Sequence, residues 1–309
     1  MSDRTAPAPG PASPVRPAQR APGAAALARR VGRIAGRDRM AAASAVVLLV
    51  IVLLALLAPW VAPYPQDGTT ATHTADRLLA PSAAHWFGTD QVGRDIVTRV
   101  LFGARTSLGI VAAVLAVSAV VGVTLGVVAG FAGGWLRDLI GRVTDVFLAF
   151  PALLLSLALA TILRPSVSTT IVAIAVTWWP WYARLSTSVA AGIRTRPYVD
   201  AARCLGLHPV RIIGRHVLPN SLTPVLVQLS LDAGGVILTA ASLSYLGLGA
   251  TEPTSEWGLM VQSGQSLFTT HWWVAAFPGL AILLTAFCFN MLGEGLRDAL
   301  DPRAAGARS

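Results

Sequence analysis

The residues of this chain that could do chemistry fall into three groups. The first is the turn Phe87-Gly88-Thr89-Asp90-Gln91-Val92-Gly93-Arg94-Asp95. Asp90, Arg94 and Asp95 could close a structural clasp there, or could receive a protein or a solute. The second is Asp232, an acid in the middle of a long apolar stretch. Charge at membrane depth is costly and usually functional, so Asp232 either lines a path or is hydrogen-bonded to a neighbouring helix, or protonated, there. The third is the stretch from Pro197 to Pro219. Pro197 and Tyr198 introduce a helix over about Val199 to Leu207 that carries Asp200, Ala201 and Ala202; Gly206 and His208-Pro209 end it. A second helical segment, Val210 to Val217, stops before Pro219, which can begin the next helix. The alanines make one side small and close-packing, and Gly206 permits a sharp redirection. Such an elbow could sit in a groove on a partner protein or lie on lipid as a basic amphipathic loop.

Catalysis by the chain alone is not supported. There is no Gly-x-x-x-x-Gly-Lys-[Ser/Thr] phosphate loop, and with no lysine anywhere its cation cannot be supplied. His73, His85, His208, His216 and His271 are scattered without metal-ligand spacing, and no Ser/His/Asp arrangement can be argued. We therefore expect no catalytic residue, no metal and no cofactor in this chain. Cys204 and Cys288 cannot form a plausible disulfide framework and read as small packing residues. An ion-driven carrier would place several ionisable groups inside the bilayer, and Asp232 is the one clear candidate.

The elements that must position these residues are membrane helices. Of the 309 residues 54% are hydrophobic and 13% charged, about half the charged share of a soluble domain. Six stretches are apolar enough to cross a bilayer, roughly 41–63, 108–131, 146–163, 167–183, 222–248 and 273–293. All 24 basic residues are arginine. With both termini inside, nineteen arginines lie on the inner side and five outside; without the N-terminal tail the ratio is still eleven to five. The positive-inside rule then puts both termini in the cytoplasm. The net charge of +9 belongs to basic loops beside lipid and does not imply nucleic acid. Residues 1–38, rich in Ala, Pro and Arg, read as a disordered cytoplasmic tail, and the first apolar run as an uncleaved anchor. Gly133 to Thr144 reads as a short inner turn and 184–221 as the longest inner loop. Trp60, Trp272 and Trp273 outside, and Trp135, Trp178, Trp179 and Trp181 inside, read as interfacial belts.

Asp200-Ala201-Ala202-x-x-x-Gly206 followed by Leu218-Pro219 resembles the cytoplasmic loop signature of ABC importer permeases, with Asp in place of the usual Glu. His216-Val217-Leu218-Pro219-Asn220 is similar to the variant in the dipeptide/oligopeptide/nickel branch. The segments around Gly88–Asp95, Leu243–Gly249 with Glu256-Trp257-Gly258, and Phe277-Pro278-Gly279 with Gly295–Arg303 resemble the same branch, in particular its C-type subunit. The resemblance covers about 85–303 and implies an all-α, polytopic membrane protein: a type I-like permease core behind a first helix at 39–84, with a coupling loop at 184–221 and a tail end at 304–309. It implies a bacterial inner-membrane transport subunit, not an enzyme, that imports di- or oligopeptides, or else nickel or another small solute. The partners it implies are a sister permease, two ATP-binding cassette subunits that hold ATP and Mg, and an external solute-binding protein. Asp200, Ala201, Ala202 and Gly206 would couple to the ATPase, with Leu218 and Pro219 holding the elbow against the next helix. A stand-alone secondary transporter is the alternative from another class.

Overall fold

The computed structural model describes residues 38–300, so the expected tails at 1–38 and 304–309 lie outside the described residues apart from Asp38. Among the described residues the chain is helical, with no strand beyond one isolated bridge, Thr89 to Asp95. Its helices are α1 (Arg39–Val61), α2 (Ile96–Ala132), α3 (Gly134–Leu148), α4 (Ala152–Ile162), α5 (Val167–Arg194), α6 (Pro197–Cys204), α7 (Pro209–Ile212), α8 (Leu218–Tyr245), α9 (Trp257–Gly264) and α10 (Trp273–Leu300). A π-helical turn, Ile213–Val217, joins α7 to α8.

Four of these stretches are long and apolar enough to cross a membrane: α1, α2, the run from α7 through α8, and α10. The bent pair α3 and α4 makes a fifth if it is counted as one span. The expected continuous span at 146–163 is therefore broken. Its halves meet at 85° around Phe150-Pro151, because proline donates no amide and disfavours helical backbone in the residue before it. The expected fourth span at 167–183 continues as a single helix to Arg194, which shortens the inner loop by eleven residues. Hydropathy reports contact with lipid, and a helix does not stop where its side chains turn polar. For the same reason α2 starts at Ile96, well before the apolar run, capped by Asp95, whose carboxylate accepts from the Thr98 amide. The supposed turn at 133–144 is most of α3. Asp138, Arg142 and Asp145 alternate there with Leu139, Val143 and Val146 at helical spacing.

The bundle core is α2, α5, α8 and α10, with α1 laid outside against α2 and α10. The α2–α5 contact is the most extensive, and its cause is a stripe of glycines. A Cβ on Gly122, Gly126 or Gly130 would come within 2.4, 2.3 and 2.5 Å of the carbonyl oxygens of Trp179, Ala183 and Thr187. Spacing of four puts all three on one face of α2, and the missing side chains let the two backbones touch. In a bilayer, where burial of apolar surface gives no net drive, such close packing is the main attraction between helices. Of the aromatic belt, Trp60 and Trp135 are exposed, but Trp273 is buried. Its indole fills the space left by Gly88 and donates to the Thr89 carbonyl at 3.4 Å, so it is core rather than anchor. Trp178 likewise packs against the main bundle core, beside Gly235.

Candidate functional site

At one end of the bundle, the head of α2 is tied to two loops by a buried ionic cluster. Gly88 and Gly93 adopt φ of +76° and +84°, which glycine tolerates without strain. A Cβ on Gly93 would also collide with the His73 carbonyl. The resulting turn aims Asp90 inward. Its Oδ1 accepts from the Val92 and Arg94 amides, both at 2.9 Å; its Oδ2 accepts from Arg94 Nε at 2.8 Å and Arg99 Nη1 at 2.7 Å. Both guanidiniums also reach Glu252, at 3.0 Å from Arg94 and 3.4 Å from Arg99. Asp95 caps α2, receives His85 Nδ1 at 3.0 Å, and donates its own amide to Asp67 at 2.9 Å. Asp90 is 3% exposed and Arg99 2%. Burial opposes charge on Asp90, but Arg99 and Arg94, with the two amides, outweigh it and hold the carboxyl below its ordinary range. Burial likewise opposes charge on Arg94, and its bonds to Glu252 and Asp90 raise it instead.

Gly88, Asp90, Gly93, Arg94 and Asp95 thus come together, with every polar side chain among them engaged internally. Arg99, Glu252, Asp67 and Ser255 complete the cluster and were not legible as members. One signal was available: Arg94 and Arg99, five residues apart, are two cations against Asp90 once Asp95 is taken up as the cap of α2, so a second acid had to come from elsewhere. Glu256, nearby, caps α9 through the amides of Gly258 and Leu259 and accepts from Ser107.

At the opposite end, α6, α7 and the π turn form the elbow. Val199, Ala202, Ile212 and Val217 are buried in one cluster with Val123, Val127 and Phe131 of α2 and Ala190 and Ile193 of α5. Arg203 lies over the Phe131 ring at 5.3 Å, a cation–π contact, and pairs with Asp200 at 3.2 Å. Gly206, at φ +75°, closes α6: its amide donates to Arg203 and that of Leu207 to Ala202, the left-handed termination that favours glycine. A Cβ there would meet nothing within 4 Å. Asp200, Ala201, Cys204, Leu205 and Val210 are exposed on the outer rim, Leu205 at 80%.

Two expectations are corrected here. Leu218 is exposed and Pro219 half-buried in the first turn of α8; the side chains buried against the bundle there are Ile212 at the end of α7 and Val217 at the end of the π turn. Cys204 is exposed, so only Cys288 packs in the interior. Asp232 lies far from both ends. Tyr182 of α5 donates to it at 2.7 Å and Gln228, one turn earlier on α8, at 2.9 Å. It is hydrogen-bonded to a neighbouring helix, one of the two readings open for it.

Residues 122–306 match the model of the binding-protein-dependent transport system inner membrane component family. Residues 27–81 match the N-terminal transmembrane domain of oligopeptide transport permease C. A probable D,D-dipeptide transport system permease of Escherichia coli K12 is 44% identical over 86% of this chain and 88% of its own length. A dipeptide transport system permease of Alkalihalophilus pseudofirmus is 41% identical over 86% and 87%. A glutathione transport system permease of Pectobacterium atrosepticum is 40% identical over 86% and 88%.

Proposed function

Since the chain belongs to the family of binding-protein-dependent transport system inner-membrane components, we propose that it is the peptide-conducting permease subunit of an ATP-driven importer, working beside a sister permease. Two ATPase subunits would grip the elbow and an external binding protein would deliver the solute; ATP and Mg belong to those ATPases. Relatives named for dipeptides and glutathione favour a short peptide over nickel. The six-crossing arrangement with both termini inside is part of this reading: it counts α3 and α4 as one span and takes α5, which is less apolar than the other five, as the sixth.

The observation that carries it is the elbow. Its base is buried against α2 and α5, while its rim offers an acid, a small alanine and two exposed apolar side chains, Leu205 and Val210. That is the composition of a short helix that inserts in a partner's groove. Because the base packs on the bundle, a shift of the rim reaches the membrane helices directly. ATP drives transport only if it favours one permease conformation over another, and the elbow supplies the contact through which it can.

Affinity purification of the tagged chain in mild detergent, followed by mass spectrometry, should recover a second permease and ATPase subunits. In the recovered complex Gly206→Glu should abolish peptide uptake with membrane insertion unchanged. A chain that purifies alone, or normal uptake in the variant, would refute the assignment.

A further inference from the structure

The face between α3 and α5 is open, away from both the ionic cluster and the elbow. Two cavities, of about 340 and 580 Å³, follow one another between α3 and α5. The first lies at the break and is lined by Phe147, Phe150, Pro151, Thr177 and Trp181. The second lies nearer the inner end and is lined by Arg137, Arg142, Arg184, Asp138, Asp145 and Ser188 among others. On α5 the lining residues Thr177, Trp181, Arg184, Ser188 and Ala191 recur every three or four positions, which makes one continuous helical face. The two cavities lie end to end along that face and outline a groove, apolar at the break and charged below it. Asp145 and Arg184 form an ion pair across it.

Backbone chemistry constrains what can fill this groove. The first turn of α4 follows Pro151, and no side chain caps it, so its leading amides lack an acceptor from the helix itself. Irregular backbone at membrane depth survives only where it is covered by protein or faces water. Phe150 and Trp181 beside it are 57% and 50% exposed, so this chain does not cover the break. The charged half bears three arginines against two aspartates and so favours an anionic group. We propose that the α3–α5 groove is a water-filled inner leg of the solute path, that its arginines guide the carboxylate of a departing peptide, and that the Asp145–Arg184 pair is a latch across it. This assignment rests on the importer reading.

The complete complex provides the test, with the wild-type complex, whose Cys204 thiol is exposed, giving the background modification and its effect on uptake. Single cysteines are placed at Ser188 and at Gly141, where a side chain has free space. Val120→Cys, on an exposed apolar part of α2, serves as control. A charged, membrane-impermeant thiosulfonate added from the inner side should modify Ser188→Cys and Gly141→Cys but not Val120→Cys. Modification should abolish uptake of a dipeptide while ATP hydrolysis continues. Arg184→Asp should lose uptake, and the exchanged pair Asp145→Arg with Arg184→Asp should regain it. If the groove cysteines are as unreactive as the control, lipid or the sister permease fills the groove and the proposal is wrong. Modification without loss of uptake makes it a solvated face and also overturns it. Uptake by the unmodified complex, measured first, separates these outcomes from a failure of the importer assignment.

Discussion

Asp90 holds the outer cluster together, because two buried guanidiniums converge on its one carboxylate. Removing one partner of such a group leaves uncompensated charge behind and costs about 3 kcal/mol or more. Asp90→Asn should therefore lower the melting temperature of the detergent-solubilised protein markedly. The sign of its pH dependence follows from the depressed pKa. The charge on Asp90 stabilises the fold above the ordinary carboxylate range, near pH 4, and that contribution is lost as pH falls through the lower folded value. The difference in melting temperature between wild type and Asp90→Asn should be full at pH 7 and shrink under strongly acid conditions. A gap that stays constant with pH would mean the aspartate acts only by its shape. At this scale the sequence was half legible. Gly88, Asp90, Gly93, Arg94 and Asp95 stand together in the chain and could be seen as a unit. Glu252 and Asp67 reach the same cluster from 158 residues after Arg94 and 28 before Asp95, and no local pattern encodes a pairing at that range.

Among the elements, α2 and α5 depend on contact without side chains. Gly126→Leu would drive a branched side chain into the backbone of Ala183 and the Cβ of Ser186. Overpacking of this kind costs about 1–3 kcal/mol when side chains can yield, and more here, where a carbonyl stands in the way. Gly109 lies on the same helix with nothing within 4 Å of its Cβ position, so Gly109→Ala should be neutral. The comparison is made by size-exclusion profile and thermal stability of the two variants: aggregation of Gly126→Leu and a wild-type profile for Gly109→Ala are expected. Equal behaviour would show that the stripe is incidental. Helix identity was legible because lipid imposes long apolar runs. Helix ends were not, since Arg99 and Arg105 at one end, and Arg184 and Arg194 at another, conceal continuing helix from any hydropathy reading. The break at Pro151 was visible as a residue, but not its angle, which depends on how α3 and α4 pack on α5.

For the whole molecule, the arginine distribution predicts that reporter domains fused after Ser309 are active only in the cytoplasm, and that those inserted between Pro81 and His85 are active only outside. The opposite pattern would invert every assignment of inner and outer faces. Topology of this kind is written in composition and needs no contact map, whereas the α3–α5 groove depends on a bend and could not be read from composition.

One dimension of the molecule carries a consequence of its own. At 37 residues, α2 is about 55 Å long, against roughly 30 Å of hydrocarbon. Its first eleven residues, Ile96 to Thr106, include Arg99 and Arg105 and precede the apolar run, so about 16 Å of rod stands clear of the oil. The outer cluster is thus mounted on a pedestal. A soluble protein that arrives from outside would meet a rigid platform above the headgroups, and its docking affinity should be nearly indifferent to lipid composition. The same rod carries Phe131 at its other end, where Arg203 of the elbow lies over the ring, so one continuous helix touches both the ionic cluster and the elbow.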